Sequence, residues 1–188
     1  MKIVLGSASK RRRQILLEMG YKFEVMTADI DEKAIRHENP NQMVLDIANA
    51  KADALIPKLD HDTLLVTADL IVVFEGKVLE KPATKQEARE VLQDFGDRPA
   101  KTVCAVVITN TATGRRVSGV DIATVWFKPF DENLFKNFVD TPEALEHAGS
   151  FAAETEIFQP YVKKIEGTID SIAGLPKDLV RELIEKVK

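Results

Sequence analysis

Near the start of the chain, the pattern of hydrophobic and polar positions changes within a few residues from that of a buried strand to that of a helix. The apolar run Ile3–Leu5 predicts a short strand that is buried on both faces. Gly6–Ser9 then predicts a turn of small residues, with Ser9 as a natural N-cap. From Lys10 the apolar positions recur at helical spacing until Gly20, where the helix is expected to end. A second strand is predicted over Phe23–Met26.

The next part of the chain alternates between a helical stripe and a long apolar run. Residues 32–39 are polar and predict an irregular, mobile loop, and Pro40 opens an amphipathic helix. The run Leu64–Phe74 predicts a central strand, or two strand segments with a break near Thr67. Glu75 and Gly76 then reverse the chain as a hairpin turn.

The remaining pattern continues this alternation and fixes the fold class. Further helices are expected behind the capping box at Thr84, at 131–139 and 142–148, and after Pro176; further strands are expected at 101–109, 117–127 and 161–165. Strands and helices that alternate in this way, together with the hairpin turns at Glu75-Gly76 and Thr111–Gly114, predict an α/β fold with a mixed sheet.

Composition narrows the class of protein without changing the fold. A chain of 188 residues with a net charge of −4 suits one domain, or two small lobes that share a core. That charge argues against general nucleic-acid affinity, so a phosphate site has to be a local group of cations. The three histidines have no metal-ligand spacing, and the single Cys104 lies in an apolar run typical of a buried side chain. No targeting or membrane segment is visible, so the cytoplasm is the expected location.

Four consecutive cations, Lys10–Arg13, occupy the first turn of the first predicted helix. The positive pole of the helix dipole disfavours each of them by roughly 0.3–1 kcal/mol. Their position is explained if an anion binds to the free backbone N–H groups of the preceding Gly/Ser turn. The alternative is a basic helix face that is simply solvated.

Two charged residues fall within apolar patterns. Asp69 lies in the middle of the long apolar run, where its carboxylate must be paired, bind a metal or stay protonated. Lys51 falls in the apolar stripe of the helix that Pro40 opens. For a lone lysine the favoured explanation is a side chain at the edge of the stripe that extends its ammonium to solvent.

Taken together, these residues suit phosphoryl or nucleotidyl chemistry. The set contains an anion site, two acidic groups suited to a hard cation and two lysines: Ser7, Ser9, Arg11 and Arg12; Glu32 and Asp69; Lys51 and Lys81. Cations offset the charge on phosphates, carboxylates bind magnesium, and a base orients water. The chain has neither a Walker motif nor a dinucleotide fingerprint, so neither common nucleotide fold is indicated.

The ordered set of motifs closely resembles the Maf-like family of nucleoside triphosphate pyrophosphatases, over essentially the whole chain. The matching positions are Ser7, Ser9 and Arg12; Glu32; Lys51-Ala52; Ala68-Asp69; Lys81-Pro82; Ala148–Phe151; and Gly174–Pro176. Two departures matter. Leu70 stands where many members have Thr or Gln, and Ala152–Thr155 stands where one branch has a Gly-Ile-Gln-Gly run.

The resemblance implies a Maf/ITPase-like fold in which residues 1–188 form a single domain. That fold is an elongated mixed β-sheet flanked by helices, with an active cleft between two lobes that are not independent domains. It also implies a homodimer with no nucleic-acid or membrane partner. The implied reaction is hydrolysis of a nucleoside triphosphate to the monophosphate and pyrophosphate, with Mg²⁺ or Mn²⁺.

The resemblance also assigns roles to the candidate residues. Asp69 would be the general base or the group that orients the water, and would bind the metal together with Glu32. Lys51 and Lys81 complete the catalytic set by binding phosphates. The substrate-binding residues would be Ser7, Ser9, Arg11, Arg12, Leu70 and Glu154. The rival hypothesis is a catalytically idle regulator that binds a nucleotide or a phosphoprotein at the same anion site.

Glu154 is the candidate for recognition of the base. One branch of the family, acting on thymidine and uridine triphosphates, has Gln at this position, and Gln both donates and accepts hydrogen bonds. An ionised Glu only accepts, so it suits the N1–H and N2–H₂ of guanine or the N4–H₂ of cytosine. The string Ala148–Phe151 also resembles the branch that acts on 7-methyl-GTP, CTP and UTP. The sequence therefore favours these nucleotides over dTTP.

Overall fold

Seven strands form one mixed sheet. The structure is a computed structural model and describes residues 1–96 and 98–188. The strands are β1 Lys2–Leu5, β2 Glu24–Val25, β3 Thr63–Phe74, β4 Lys77–Leu79, β5 Ala100–Asn110, β6 Arg116–Phe127 and β7 Val162–Glu166. Their order is β2-β1-β3-β5-β6-β7, and β4 pairs with β3 outside this path.

The sheet contains both kinds of strand pairing. β1 is parallel to β2 and to β3, with Leu5 opposite Val66. β4 is antiparallel to β3, and β7 is antiparallel to β6. The predicted mixed sheet is therefore confirmed. The turn between β3 and β4 is also as predicted, because Glu75 and Gly76 both have positive φ, 48° and 78°, as a two-residue hairpin turn requires.

Helices lie between the strands and after β7. They are α1 Lys10–Glu18, α2 Pro40–Leu55, α3 Lys85–Phe95, α4 Glu132–Leu134, α5 Ile169–Ile172 and α6 Lys177–Val187. α1 begins and ends where the sequence predicts: Ser9 Oγ accepts a hydrogen bond from Arg12 N at 3.3 Å, and Gly20 follows the helix with a φ of +82°. Among the helices of the described residues, none is long and apolar enough to cross a membrane.

The structure settles or refines three local predictions. β3 continues through Thr67 without a break, which is the first of the two predicted alternatives. The buried Thr67 hydroxyl donates to Ala48 O at 2.8 Å and is therefore satisfied. The predicted loop at 32–39 begins with a 3₁₀ helix, Glu32–Ala34, which the Asp31 carboxylate caps. The predicted helix at 131–139 is α-helical only in α4 and continues as a π-helix, while Pro142–Glu146 is a 3₁₀ helix.

The chain divides into two compact units. The first unit comprises Met1–Leu70, Cys104–Asp121 and Gly174–Lys188. Its fully buried side chains include Leu5, Leu16, Leu55, Leu65 and Ile108. Cys104 is buried in this unit, and burial raises the pKa of its thiol to about 12, so it acts as a small apolar side chain as predicted.

The second unit comprises the segments 71–103 and 122–173. Its core is aromatic: Phe127 packs against Phe95, Phe151 and Phe158 with ring centroids 5.2–6.2 Å apart. All four of these phenylalanines are buried. The cleft predicted between two lobes stays a prediction, as does the absence of independent domains.

Candidate active site

A close approach of backbone to side chain fixes the turn after β1. A Cβ on Gly6 would lie 2.6 Å from Thr67 Cγ2 and 2.8 Å from Leu55 Cδ1, so any larger residue would have to displace these two buried side chains. Gly6 N donates to Val66 O at 2.8 Å, which continues the β1–β3 pairing into the turn. The serine turn is therefore held directly against the strand that carries Asp69.

The two serines of this turn organise the start of α1. The buried Ser7 Oγ accepts hydrogen bonds from Ser9 N at 3.2 Å and from Arg12 Nη1 at 3.3 Å. Ser9 is the N-cap residue of α1. Because a helix N-terminus presents unpaired N–H groups and a positive dipole, this end of α1 favours an anion.

The charged residues predicted on α2 and β3 form one buried pair. Lys51 Nζ lies 2.8 Å from Asp69 Oδ1, and the two residues are only 8% and 6% exposed. The half-exposed Glu32 places Oε2 at 3.1 Å from the same ammonium. The prediction that Lys51 extends to solvent is wrong. Its ammonium points inward, because the buried carboxylate requires a partner charge.

The protein environment of Asp69 favours its protonated form more than an aqueous environment would. Burial raises its pKa above the ordinary value, and the charges of Lys51 and Arg12 oppose this effect without cancelling it. The carboxylate of Glu32 adds a smaller effect in the same direction as burial. A carboxylate with a raised pKa is a stronger proton acceptor, which suits a general base.

Arg12 makes more contacts with the protein than a solvated helix face would give it. Its Nε donates to Gly174 O at 2.8 Å, and its Nη1 donates to Ala68 O at 2.9 Å as well as to Ser7 Oγ. These bonds use three of the five guanidinium N–H groups. Nη2 takes part in none of these three bonds.

A family model for Maf-like proteins matches residues 2–187. The chain belongs to the Maf-like family. A 7-methyl-GTP pyrophosphatase from Dictyostelium discoideum is 38% identical, covering 98% of this chain and 96% of that protein. A dTTP/UTP pyrophosphatase from Bdellovibrio bacteriovorus is 30% identical, covering 98% and 97%.

One solved structure supports the fold of this Maf-like chain. The Staphylococcus aureus Ham1 protein superposes with a TM-score of 0.51 over 100% of both chains, at 11% sequence identity. At that identity the likeness concerns the fold alone. The predicted α/β class, a mixed sheet flanked by helices, is confirmed.

The candidate residues of this Maf-like chain are divided between the two units. Ser7, Ser9, Arg11, Arg12, Glu32, Lys51, Asp69 and Leu70 belong to the first unit. Arg11 is half-buried in the first turn of α1, and Leu70 follows Asp69 on β3. Lys81 and Glu154 belong to the second unit, where Lys81 is exposed and Glu154 is half-buried. Within that unit, Gly149 N donates to Glu80 O at 3.1 Å. This hydrogen bond joins the segment that contains Lys81 to the segment that leads to Glu154.

Sequence reasoning missed the backbone groups of this site. The carbonyl oxygens of Ala68 and Gly174 hold Arg12, and no side-chain pattern marks a carbonyl as functional. The signal in the sequence is the motif Gly174–Pro176, one of the positions that match the family. Gly174 has a φ of +93°, a conformation that L side chains rarely adopt.

Glu32 and Asp69, the two predicted metal ligands, contact the same ammonium group. Within residues 1–96 and 98–188, no group of three or more His, Cys, Asp and Glu side chains is placed to hold a metal ion. Glu32 and Asp69 both contact the Lys51 ammonium, so their carboxylates are close to one another. Magnesium is commonly bound through one or two carboxylates, with substrate phosphates and water completing its shell. This pair fits that pattern.

Proposed function

We propose that this chain hydrolyses nucleoside triphosphates between the α- and β-phosphates, giving a nucleoside monophosphate and pyrophosphate. The observation that carries the proposal is the buried Asp69 carboxylate, which accepts a hydrogen bond from Lys51. Both residues belong to the unit that contains the serine turn and Arg12. A protein that only bound an anion would have no need of a buried carboxylate there. The two relatives are named as pyrophosphatases of nucleoside triphosphates, which supports the same reaction.

Asp69 is proposed as the group that activates water. Lys51 donates to Oδ1, so Oδ2 is the oxygen proposed to accept a proton from water. The water oxygen bonds to the α-phosphorus, and the bond from that phosphorus to the bridging oxygen breaks. Pyrophosphate leaves with the electron pair. Lys51 keeps Asp69 oriented and places a positive charge beside the reacting phosphates.

The phosphates are proposed to bind at the start of α1. The donors for an anion at this helix end would be the backbone N–H groups of the residues that follow Ser9, the side chain of Arg11 and the Nη2 of Arg12. Lys81, from the second unit, is proposed as a further phosphate ligand. Several cations at the end of one helix suit a polyphosphate chain better than a single phosphate.

A divalent metal, Mg²⁺ or Mn²⁺, is part of the proposal. Glu32 and Asp69 would hold it, and when bound it would neutralise charge on the phosphates. Asp69 would then contribute to both metal binding and water activation.

A homodimer in the cytoplasm also stays a prediction.

The experiment that tests the proposal is a turnover screen of common and modified nucleoside triphosphates with magnesium or manganese. We expect the monophosphate and pyrophosphate as the first products, separated by ion-exchange chromatography. Chelation should abolish turnover, and added metal should restore it. Orthophosphate and a diphosphate as first products would contradict the proposed bond cleavage. Nucleotide binding without turnover would support the idle regulator instead.

Base preference is proposed to depend on Glu154. An ionised Glu facing the O4 oxygen of thymine would leave two acceptors together, at a cost of about 1–3 kcal/mol. We therefore expect a higher kcat/KM for 7-methyl-GTP or CTP than for dTTP, and a shift toward dTTP in Glu154→Gln. The exposed Glu156 lies two residues away, so Glu156→Gln is the matched control and should leave the ratios unchanged. A wild type at least about tenfold better on dTTP than on either nucleotide would contradict this role.

A further inference from the structure

The Gly174–Pro176 segment has no part in the chemistry proposed so far, although it contacts Arg12 directly. The carbonyl oxygen of Gly174 accepts a hydrogen bond from Arg12 Nε at 2.8 Å. Gly174 has a φ of +93°, so the direction of the peptide that carries this carbonyl depends on a conformation natural to glycine. A side chain at this position would strain the backbone and redirect the acceptor.

Arg12 transmits this contact to the strand that carries Asp69. Its Nη1 donates to Ala68 O at 2.9 Å, in the peptide immediately before Asp69. A guanidinium is planar and rigid, so acceptors on both Nε and Nη1 fix its plane and the direction of Nη2. One arginine therefore joins the Gly174 loop, the serine turn and the Ala68–Asp69 peptide, all within the first unit.

We propose that Gly174 is a positioning residue, which holds the Arg12 guanidinium and, through it, the Ala68–Asp69 peptide in the arrangement the reaction needs. The inference rests on the proposed hydrolysis. An arginine that supplied only charge to phosphates would not need two backbone acceptors, one of them 162 residues away in the sequence. A displacement of reacting groups by about 1 Å can lower a rate 10²-fold, so a contact of this kind affects turnover strongly.

Gly20 provides a matched control for a substitution at Gly174. The two glycines have similar φ values, +82° and +93°, so an alanine strains the backbone similarly at both. Among the described residues, nothing lies within 4 Å of a Cβ placed on Gly20. A Cβ on Gly174 would lie 3.4 Å from Arg12 Nε and 3.5 Å from Leu70 Cδ1. Only the substitution at Gly174 therefore places a new atom in contact with the Arg12 guanidinium.

For Gly174→Ala we expect kcat to fall by roughly 10–100-fold while KM stays within about threefold. Gly20→Ala should keep kcat within about twofold of the wild type while lowering the thermal midpoint similarly. In the NMR spectrum, the Arg12 Nε–H signal should exchange with water faster in Gly174→Ala and not in Gly20→Ala. Arg12→Lys should lose as much kcat as Arg12→Ala, because one ammonium cannot replace a fork of donors. Should Gly174→Ala fail to fold, Gly174→Asn, which tolerates positive φ, is the substitute.

Each contrary result has a distinct meaning. A wild type that releases no pyrophosphate from any nucleotide overturns the proposed function, and this role with it. An active wild type with equal kcat in Gly174→Ala and Gly20→Ala overturns the positioning role alone. The same holds if Gly174→Ala raises KM with kcat unchanged, since that marks loss of substrate binding. A changed Arg12 signal without a change in kcat also overturns it.

Discussion

Asp69→Asn is expected to lower kcat by about 10²–10⁴-fold, the usual contribution of a general base. Asparagine has nearly the same shape as aspartate but does not accept a proton from water. The fold should survive, because the substitution removes a buried charge and leaves Lys51 in contact with Glu32. Initial rates of pyrophosphate release and a thermal unfolding curve are the two measurements.

The control for this variant is a second ion-paired aspartate in the same unit. Asp53 Oδ1 lies 2.6 Å from Arg116 Nη2, and its side chain is 65% exposed. Asp53→Asn therefore removes an ion pair without affecting the candidate site, and kcat should stay within about twofold of the wild type. An Asp69→Asn protein that kept more than about a tenth of wild-type turnover would show that Asp69 is not the base.

Lys51→Met is expected to destabilise the metal-free protein by about 3–5 kcal/mol at neutral pH, because it leaves the Asp69 carboxylate buried without its partner. The ammonium of Lys51 lowers the pKa of Asp69, so its removal raises a pKa that burial has already raised. A carboxyl whose pKa is higher in the folded state favours folding at low pH, and that advantage is lost as pH rises through the folded pKa. The destabilisation should therefore be small in acid and grow toward neutral pH.

Urea unfolding at a series of pH values measures this effect. The double variant Lys51→Met/Asp69→Asn should recover much of the stability, because it contains no buried carboxylate. Lys186→Met is the matched control: it removes an exposed i,i+4 ion pair with Glu182 and should cost no more than about 1 kcal/mol. A deficit in Lys51→Met that is the same at every pH would argue against an unpaired Asp69 charge as its cause.

The sequence by itself determined several local features of the fold. Ser9 caps α1, Gly20 follows its end, and Glu75-Gly76 makes the hairpin turn as predicted. These features are encoded locally, because a cap or a tight turn makes its hydrogen bonds within a few residues. The same local reasoning marked Asp69 as unusual, since a carboxylate in an apolar strand must find a partner. The ordered motifs were enough to indicate the Maf-like family, which the family match confirms.

Only the tertiary structure decided which groups meet. The partner of Asp69 is Lys51, 18 residues earlier, and the packing of α2 on β3 turns that lysine inward. The spacing of apolar residues along α2 does not indicate which strand the helix packs against. The sequence therefore favoured the wrong prediction for Lys51, an ammonium that extends to solvent. Arg12 gives the sharper case, because its acceptors are carbonyl oxygens at Ala68 and at Gly174, 162 residues along the chain. Every residue has a backbone carbonyl, so only the folded chain selects the two that hold this arginine.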